Sequence, residues 1–277
     1  MSLKINDQHF LEGENVQRIP TPKNSQKFGA GLLDTCIMHY TAGRDAKSSA
    51  MYLSDNNVKA SAHIVVGRQG EVYQLLPFDT IAWHAGVSKY GSRTGYNRYS
   101  VGIEIDNAGV LEKTGNEYQA WFGKQYMENE VMKAVHRNEA VPRYWQVYTQ
   151  AQIDTCEQIC KLLIQKYNIK QILGHEEISV GRKQDPGPAF PLDKFRDRLL
   201  GNNRQANEVS DIAHPSEGAV TVDKLNIRAG AGTQFDKIAM PLINGKQVRI
   251  LEEQNGWYRV RTEIEGWVSK GYIETTE

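Results

Sequence analysis

The sequence lacks a long apolar run. Nothing in it approaches the roughly 18 consecutive hydrophobic residues of a membrane-spanning helix, so an integral membrane segment is not expected. Cysteine is scarce. Cys36, Cys156 and Cys160 allow at most one disulfide with one thiol left over, which excludes a disulfide framework. Net charge is absent too: 33 Lys and Arg balance 33 Asp and Glu over 277 residues, so neither nucleic acid nor an anionic membrane surface is expected as a partner. The opening residues MSLKINDQHF lack the apolar core of a secretory signal.

What is present is organised around the stretch GHEEISVGRKQDPGP, which gathers His175, Lys183 and Asp185 in a polar loop. His175 ends the apolar run Ile172-Leu173-Gly174, which reads as a buried strand, and Asp185 precedes Pro186, which favours an extended backbone. Both side chains can reach one point. A catalytic zinc takes three protein ligands and leaves a fourth position open, so a third ligand is needed, and His39 at the end of the first strongly apolar run is the best candidate.

The length suits one domain of about 200 residues and a small second one. Leu32 to Tyr40 reads as a strand and residues 48 to 57 as a helix. Ser61 to Val66 and Glu71 to Leu76 form a hairpin across Gly67-Arg68-Gln69-Gly70. In Ser100 to Asp106 the side chains alternate: Val101, Ile103 and Ile105 point one way, Glu104 the other. Thr149 and Gln152 fit a capping box opening a helix whose buried stripe holds Cys156 and Cys160, and Lys170 to Leu173 supplies another strand. The expectation is an α/β domain over residues 1–204, with a mixed β-sheet flanked by helices. A polar linker over 205–218 leads to a small all-β barrel over 219–277, where short alternating runs such as Trp267-Val268 are separated by turn residues.

Cys36 lies three residues before His39, so on a strand it faces the other way and reads as core. His9, His136 and His214 have no motif around them and read as surface residues. Residues 107–145 are the least legible. Tyr118, Trp121, Phe122, Tyr126, Tyr144 and Trp145 either line a groove in ones and twos or close a local cluster.

The segments MHYTAG, SAHIVVGRQGEVYQLLP, AWHAGVS, SVGIEIDNAG and GHEEISVGRKQDPGP occur in an order that resembles the zinc-dependent N-acetylmuramoyl-L-alanine amidases of the Amidase_2 family, relatives of peptidoglycan recognition proteins. The tail, with LNIRAGAGTQF, GWYRV and GWVSKGYI, resembles a bacterial SH3-like domain, with Ala231 where that pattern usually has proline. The resemblance implies Zn2+ held by His39, His175 and Asp185, Glu104 as catalytic acid and base, and Lys183 as supporting cation. His63 and His84 would contact substrate, orient the site, or be hydrogen-bonded core residues. It further implies peptidoglycan or muropeptides as substrate, and favours a cell-envelope location, periplasmic or secreted, with cytoplasmic recycling or a phage-encoded protein as the alternatives. Aspartate rather than cysteine as third ligand places the chain with bacterial recycling and envelope enzymes. The chemistry agrees, because amide hydrolysis needs an activated water, a stabilised oxyanion and a proton for the departing nitrogen. Two other classes stand beside this one: a non-catalytic peptidoglycan binder, and a cell-wall cysteine peptidase using Cys36.

Overall fold

The computed structural model describes residues 3–115, 117–201, 217–230, 235–254 and 257–262. The chain divides into two compact units, Met1–Asn207 and Glu208–Glu277. The expected linker falls almost wholly outside the described residues, as do His214, Ala231 and the expected strand Trp267-Val268.

In the first unit the chain forms β1 (Val16–Arg18), β2 (Thr35–Tyr40), α1 (Ala46–Ser54), β3 (Ile64–Val66), β4 (Val72–Gln74) and β5 (Ser100–Ile105). An insertion of five short strands follows: β6 (Val110–Thr114), β7 (Glu117–Gln119), β8 (Gln125–Tyr126), β9 (Val131–Val135) and β10 (Pro142–Gln146). The unit ends with α2 (Gln150–Tyr167), β11 (Gln171–Gly174), α3 (His175–Ile178) and α4 (Leu192–Leu200). Six strands make a mixed sheet in the order β11-β2-β5-β3-β4-β1. Its first four run parallel, and β3 and β4 pair antiparallel as the expected hairpin.

Local signals explain the element ends. The α1 helix begins two residues earlier than the apolar pattern suggested, because the Asp45 carboxylate accepts the Ser48 amide at 2.8 Å and caps it there. At α2, Thr149 Oγ1 accepts the Gln152 amide at 3.2 Å and Gln152 Oε1 accepts the Thr149 amide at 3.0 Å, the reciprocal box read from the sequence. Asn168, with φ of 57°, stops the helix in the left-handed region.

Packing then assigns the two sheet faces. Cys156, Ile159, Cys160 and Leu163 of α2 join one cluster with Cys36 and Met38 of β2 and with Val101, Ile103 and Ile105 of β5. Each fully buried aliphatic side chain there contributes about 2 kcal/mol. Because side chains alternate along a strand, Ile37, His39, Gly102 and Glu104 occupy the opposite face. That face carries the chemistry.

The insertion is a second sheet, in the order β8-β7-β6-β10-β9, with its own apolar cluster that includes Leu111, Tyr118 and Tyr126. In the second unit the described residues form short antiparallel strands, Glu217–Ala219 with Gln247–Gln254 and Trp257–Arg261, and Lys224–Leu225 with Leu242–Ile243. No helix among the described residues is long and apolar enough to cross a membrane.

Candidate metal centre and its cavity

Strand register brings the site together. On the parallel pair β2 and β5, His39 lies opposite Glu104. On β11, Gly174 lies opposite Met38, so His175 follows at the first turn of α3 beside His39. The carboxyl ends of parallel strands are where open α/β sheets leave a crevice for ligands. Asp185 enters it from the loop after α3, anchored by the Glu176 amide donating to the Asp185 carbonyl at 2.8 Å.

The three predicted ligands converge. His39 Nδ1 lies 3.0 Å from His175 Nδ1 and 2.8 Å from Asp185 Oδ2, and His175 Nδ1 lies 2.9 Å from the same oxygen. All three side chains are buried. Hydrogen bonding at the far sides of the rings assigns their protons. His84 Nε2 faces the Ser100 carbonyl at 3.1 Å and must donate to it, which leaves His84 Nδ1 an acceptor. His39 Nε2, 3.0 Å from that acceptor, must therefore carry a proton. His175 Nε2 donates to the Ala85 carbonyl at 3.2 Å. Burial holds His39 down to about 4 and His84 well below its usual value, so both rings are neutral at pH 7.

The consequence is that both Nδ1 atoms and the Asp185 carboxylate turn their donor atoms toward one point. Three buried donor atoms at such distances are held together by a shared proton or by a cation. Two imidazoles and a carboxylate are a donor set that suits zinc, whose ligand distances of about 2 Å let one ion touch all three. Among the described residues no other trio of His, Cys, Asp or Glu converges in this way.

Glu104 and Lys183 line the cavity that these three side chains open into, a space of about 750 Å³. Glu104 is half-buried, and its carboxylate has no hydrogen-bond partner among the described residues. Burial and the nearby Asp185 push its pKa well above the usual carboxylate range, while the Lys183 charge pulls it back.

His84 forms part of the cavity wall with both ring nitrogens engaged, so it orients His39 rather than offering a free group to substrate. Its ring lies directly over Gly102, where a Cβ would come within 2.4 Å of it; only glycine fits there. His63 departs further from substrate contact. It is fully buried, Nε2 donates to the Thr80 carbonyl at 2.8 Å, Nδ1 accepts the Gly102 amide at 3.0 Å, and the ring is stacked between Phe28 and Phe78. His63 is a satisfied core histidine outside the cavity lining. Cys36 is buried on the α2 face, its thiol pushed well up by its hydrogen bond with Cys160 and by burial. A thiol on the far face of the sheet cannot act in this cavity, which removes the cysteine-peptidase alternative.

His136, expected at the surface, is buried against Glu176, an acid that the sequence did not single out. Nothing in the local sequence marks it, because its partner lies 40 residues away. Of the aromatic residues in the insertion, Trp121 and Phe122 line the cavity, whereas Tyr118, Tyr126 and Tyr144 pack in the insertion's own cluster. Both readings of that region therefore hold, and Phe122, which also packs against that cluster, belongs to both.

A buried cluster of two histidines and one carboxylate that could hold a metal ion, beside a glutamate with no hydrogen-bond partner among the described residues, at the carboxyl ends of a mixed sheet, is an arrangement suited to a hydrolase. Residues 31–188 match the family model described as N-acetylmuramoyl-L-alanine amidase, Amidase_2, and the chain belongs to that family. Residues 223–274 match the bacterial SH3 domain model, SH3_3. The chain is 32% identical over 170 residues to the 1,6-anhydro-N-acetylmuramyl-L-alanine amidase AmpD of Escherichia coli K12, covering 61% of this chain and 73% of that one. It is 30% identical over 183 residues to the N-acetylmuramoyl-L-alanine amidase AmiD of the same strain, covering 63% of this chain and 56% of that one. A crystal structure of a selenomethionine AmpD derivative aligns with a TM-score of 0.48 at 25% identity, over 70% of this chain and 98% of that one. The protein is an enzyme of the amidase class.

Proposed function

We propose that this chain hydrolyses the amide between N-acetylmuramic acid and the L-alanine of the stem peptide in peptidoglycan or its fragments, with zinc at His39, His175 and Asp185. The observation that carries this is the convergence of three buried donor atoms beside Glu104, the residue paired with His39 across the strands. A bound zinc supplies Lewis acidity, which brings the pKa of water to about 7 and polarises a carbonyl.

The chain's own groups do the rest. Glu104 has no competing hydrogen bond among the described residues and sits where burial strengthens its basicity, so it takes the proton of the attacking water and returns it to the departing nitrogen. Lys183 places a positive charge at the same cavity, where the tetrahedral oxyanion develops. His84 fixes the tautomer of His39. The location that suits this substrate is the cell envelope. The SH3-like unit, with equal numbers of acidic and basic residues over 219–277, would hold the enzyme on polymeric wall by tethering rather than by charge. A non-catalytic binder has nothing in its favour here, since every ligand and the glutamate are in place.

The test is Glu104→Gln, which keeps the shape and removes the base. Turnover of a soluble muropeptide should fall by about 100-fold or more with zinc content retained. Mass spectrometry of the wild-type digest should show the intact stem peptide released from the sugar. Cleavage inside the peptide, or a variant of undiminished rate, would overturn the assignment.

A further inference from the structure

The insertion sends one hairpin over the metal cavity. Strands β7 and β8 are joined by a tight turn in which the Ala120 amide donates to the Lys124 carbonyl at 2.9 Å, and Trp121 and Phe122 lie at its tip. The tip is pinned to the loop that follows β2. Trp121 Nε1 donates to the Ala42 carbonyl at 2.8 Å, and Arg44 donates to the Phe122 carbonyl at 2.9 Å. Ala42 itself holds a φ of 49°, the left-handed region that an alanine seldom adopts. In this conformation the Ala42 amide donates to the Asn107 carbonyl at 3.0 Å, leaving the Ala42 carbonyl to the indole.

The outcome is a tryptophan whose single polar atom is satisfied and whose orientation is fixed, yet which is 78% exposed. An apolar ring of that size left open to water loses the stabilisation that burial would give it. Anchoring it at the mouth of a reaction cavity makes sense where a ligand covers the ring. Phe122 meets Trp121 edge to face at 5.6 Å and backs it from the side.

The ring's surroundings restrict the ligand. An aromatic face is electron-rich and attracts either a cation or the weakly positive C–H groups of a flat saccharide ring. The tip already carries Arg44, whose guanidinium stands 5.4 Å from the Phe122 ring, together with Lys124. The acid beside them, Asp45, is engaged in capping α1. Excess positive charge disfavours an ammonium group on the ring and leaves the neutral sugar.

We propose that Trp121 is a saccharide-stacking platform which makes the sugar portion of the substrate, and not only the amide and peptide, a determinant of recognition. This rests on the amidase reading above for its kinetic arm. Two soluble substrates with the same scissile amide separate the contributions: a disaccharide carrying the stem peptide, and a D-lactoyl peptide without sugar. In wild type the ratio of their kcat/KM values should favour the disaccharide substrate. Trp121→Ala should cut that ratio by about tenfold, chiefly through KM of the disaccharide substrate, and Trp121→Phe should restore part of it. An unchanged ratio in Trp121→Ala, whether both substrates suffer equally or neither does, would overturn the platform and leave the hairpin a structural or peptide-contacting element. A second measurement is independent of turnover. The indole Nε1–H resonance missing from the Trp121→Ala spectrum should shift when the peptide-free disaccharide is titrated into wild type, and a static resonance at saturating sugar counts against the proposal. A shift without hydrolysis of either substrate would instead sink the amidase reading and keep the platform.

Discussion

His136 Nε2 donates to Glu176 Oε2 at 2.6 Å, with both side chains buried, and this bond ties the insertion to the loop that carries Asp185. The same Glu176 oxygen accepts the Gly187 amide at 3.1 Å, two residues past Asp185, and the other oxygen takes the Arg137 guanidinium at 2.8 Å. The His136 ring is stacked on Trp145, against which Gly187 packs so closely that a Cβ would lie 2.9 Å away. The second sheet thus braces the Asp185 loop at one end while its other hairpin overhangs the cavity.

Removing the brace should cost both stability and metal binding. His136→Ala leaves a buried carboxylate short of a donor, a loss of about 2 kcal/mol, or about 5 °C in the midpoint of thermal unfolding. Zinc affinity should drop with it, because Gly187 and Asp185 share the loop that Glu176 holds. Thermal scans and a competitive zinc titration on the same preparation check both effects. Lost stability with unaltered zinc affinity would show that the loop holds its shape without the insertion.

Which parts of this were readable from the sequence follows from how local their causes are. The α2 cap was legible because Thr149 and Gln152 satisfy each other within three residues, and the face of Glu104 was legible because alternation along a strand is fixed by geometry. His39, His175 and Asp185 stood out through the apolar runs that end in the two histidines and the polar loop that holds the aspartate. The role of His63 was not legible, since only the three-dimensional fold brings Thr80 and Gly102 to its two nitrogens. His136 was misplaced for the same reason. The insertion's strands are short and carry mixed polar and aromatic residues, so no period longer than a few residues announces them.

A second prediction concerns the proton that His84 accepts from His39. His84→Ala removes the acceptor, frees His39 to place its proton on Nδ1, and takes that lone pair from the metal. Partners of this kind are worth about 10- to 100-fold in metal affinity. His84→Asn puts an oxygen near the former Nδ1 position and should recover much of the loss, which a purely space-filling role would not produce. The check is zinc affinity of both variants against a chromophoric chelator; equal affinities for Ala and Asn would remove the tautomer argument.

The last prediction uses Asp106, a carboxylate buried just past the end of β5 whose removal from water raises its pKa to about 6, with Arg68 offsetting part of the effect. Its backbone is fully used, the amide donating to Val66 and the carbonyl accepting from Gln152 Nε2 at 2.7 Å, so the side chain can change without disturbing the chain path. In the unfolded chain the group titrates near 3.9, as a model aspartate does. Between those two values the folded protein binds more protons than the unfolded one. Stability therefore falls as pH rises from about 4 to about 6 and stays reduced above that, by about 2–3 kcal/mol for a shift of this size. Asp106→Asn removes the titration and should be more stable than wild type by about that amount at pH 8, with the difference vanishing near pH 4. Denaturant unfolding of both proteins at the two pH values measures it. A variant that gains nothing at pH 8 would mean that Arg68 compensates the buried charge more fully than burial penalises it.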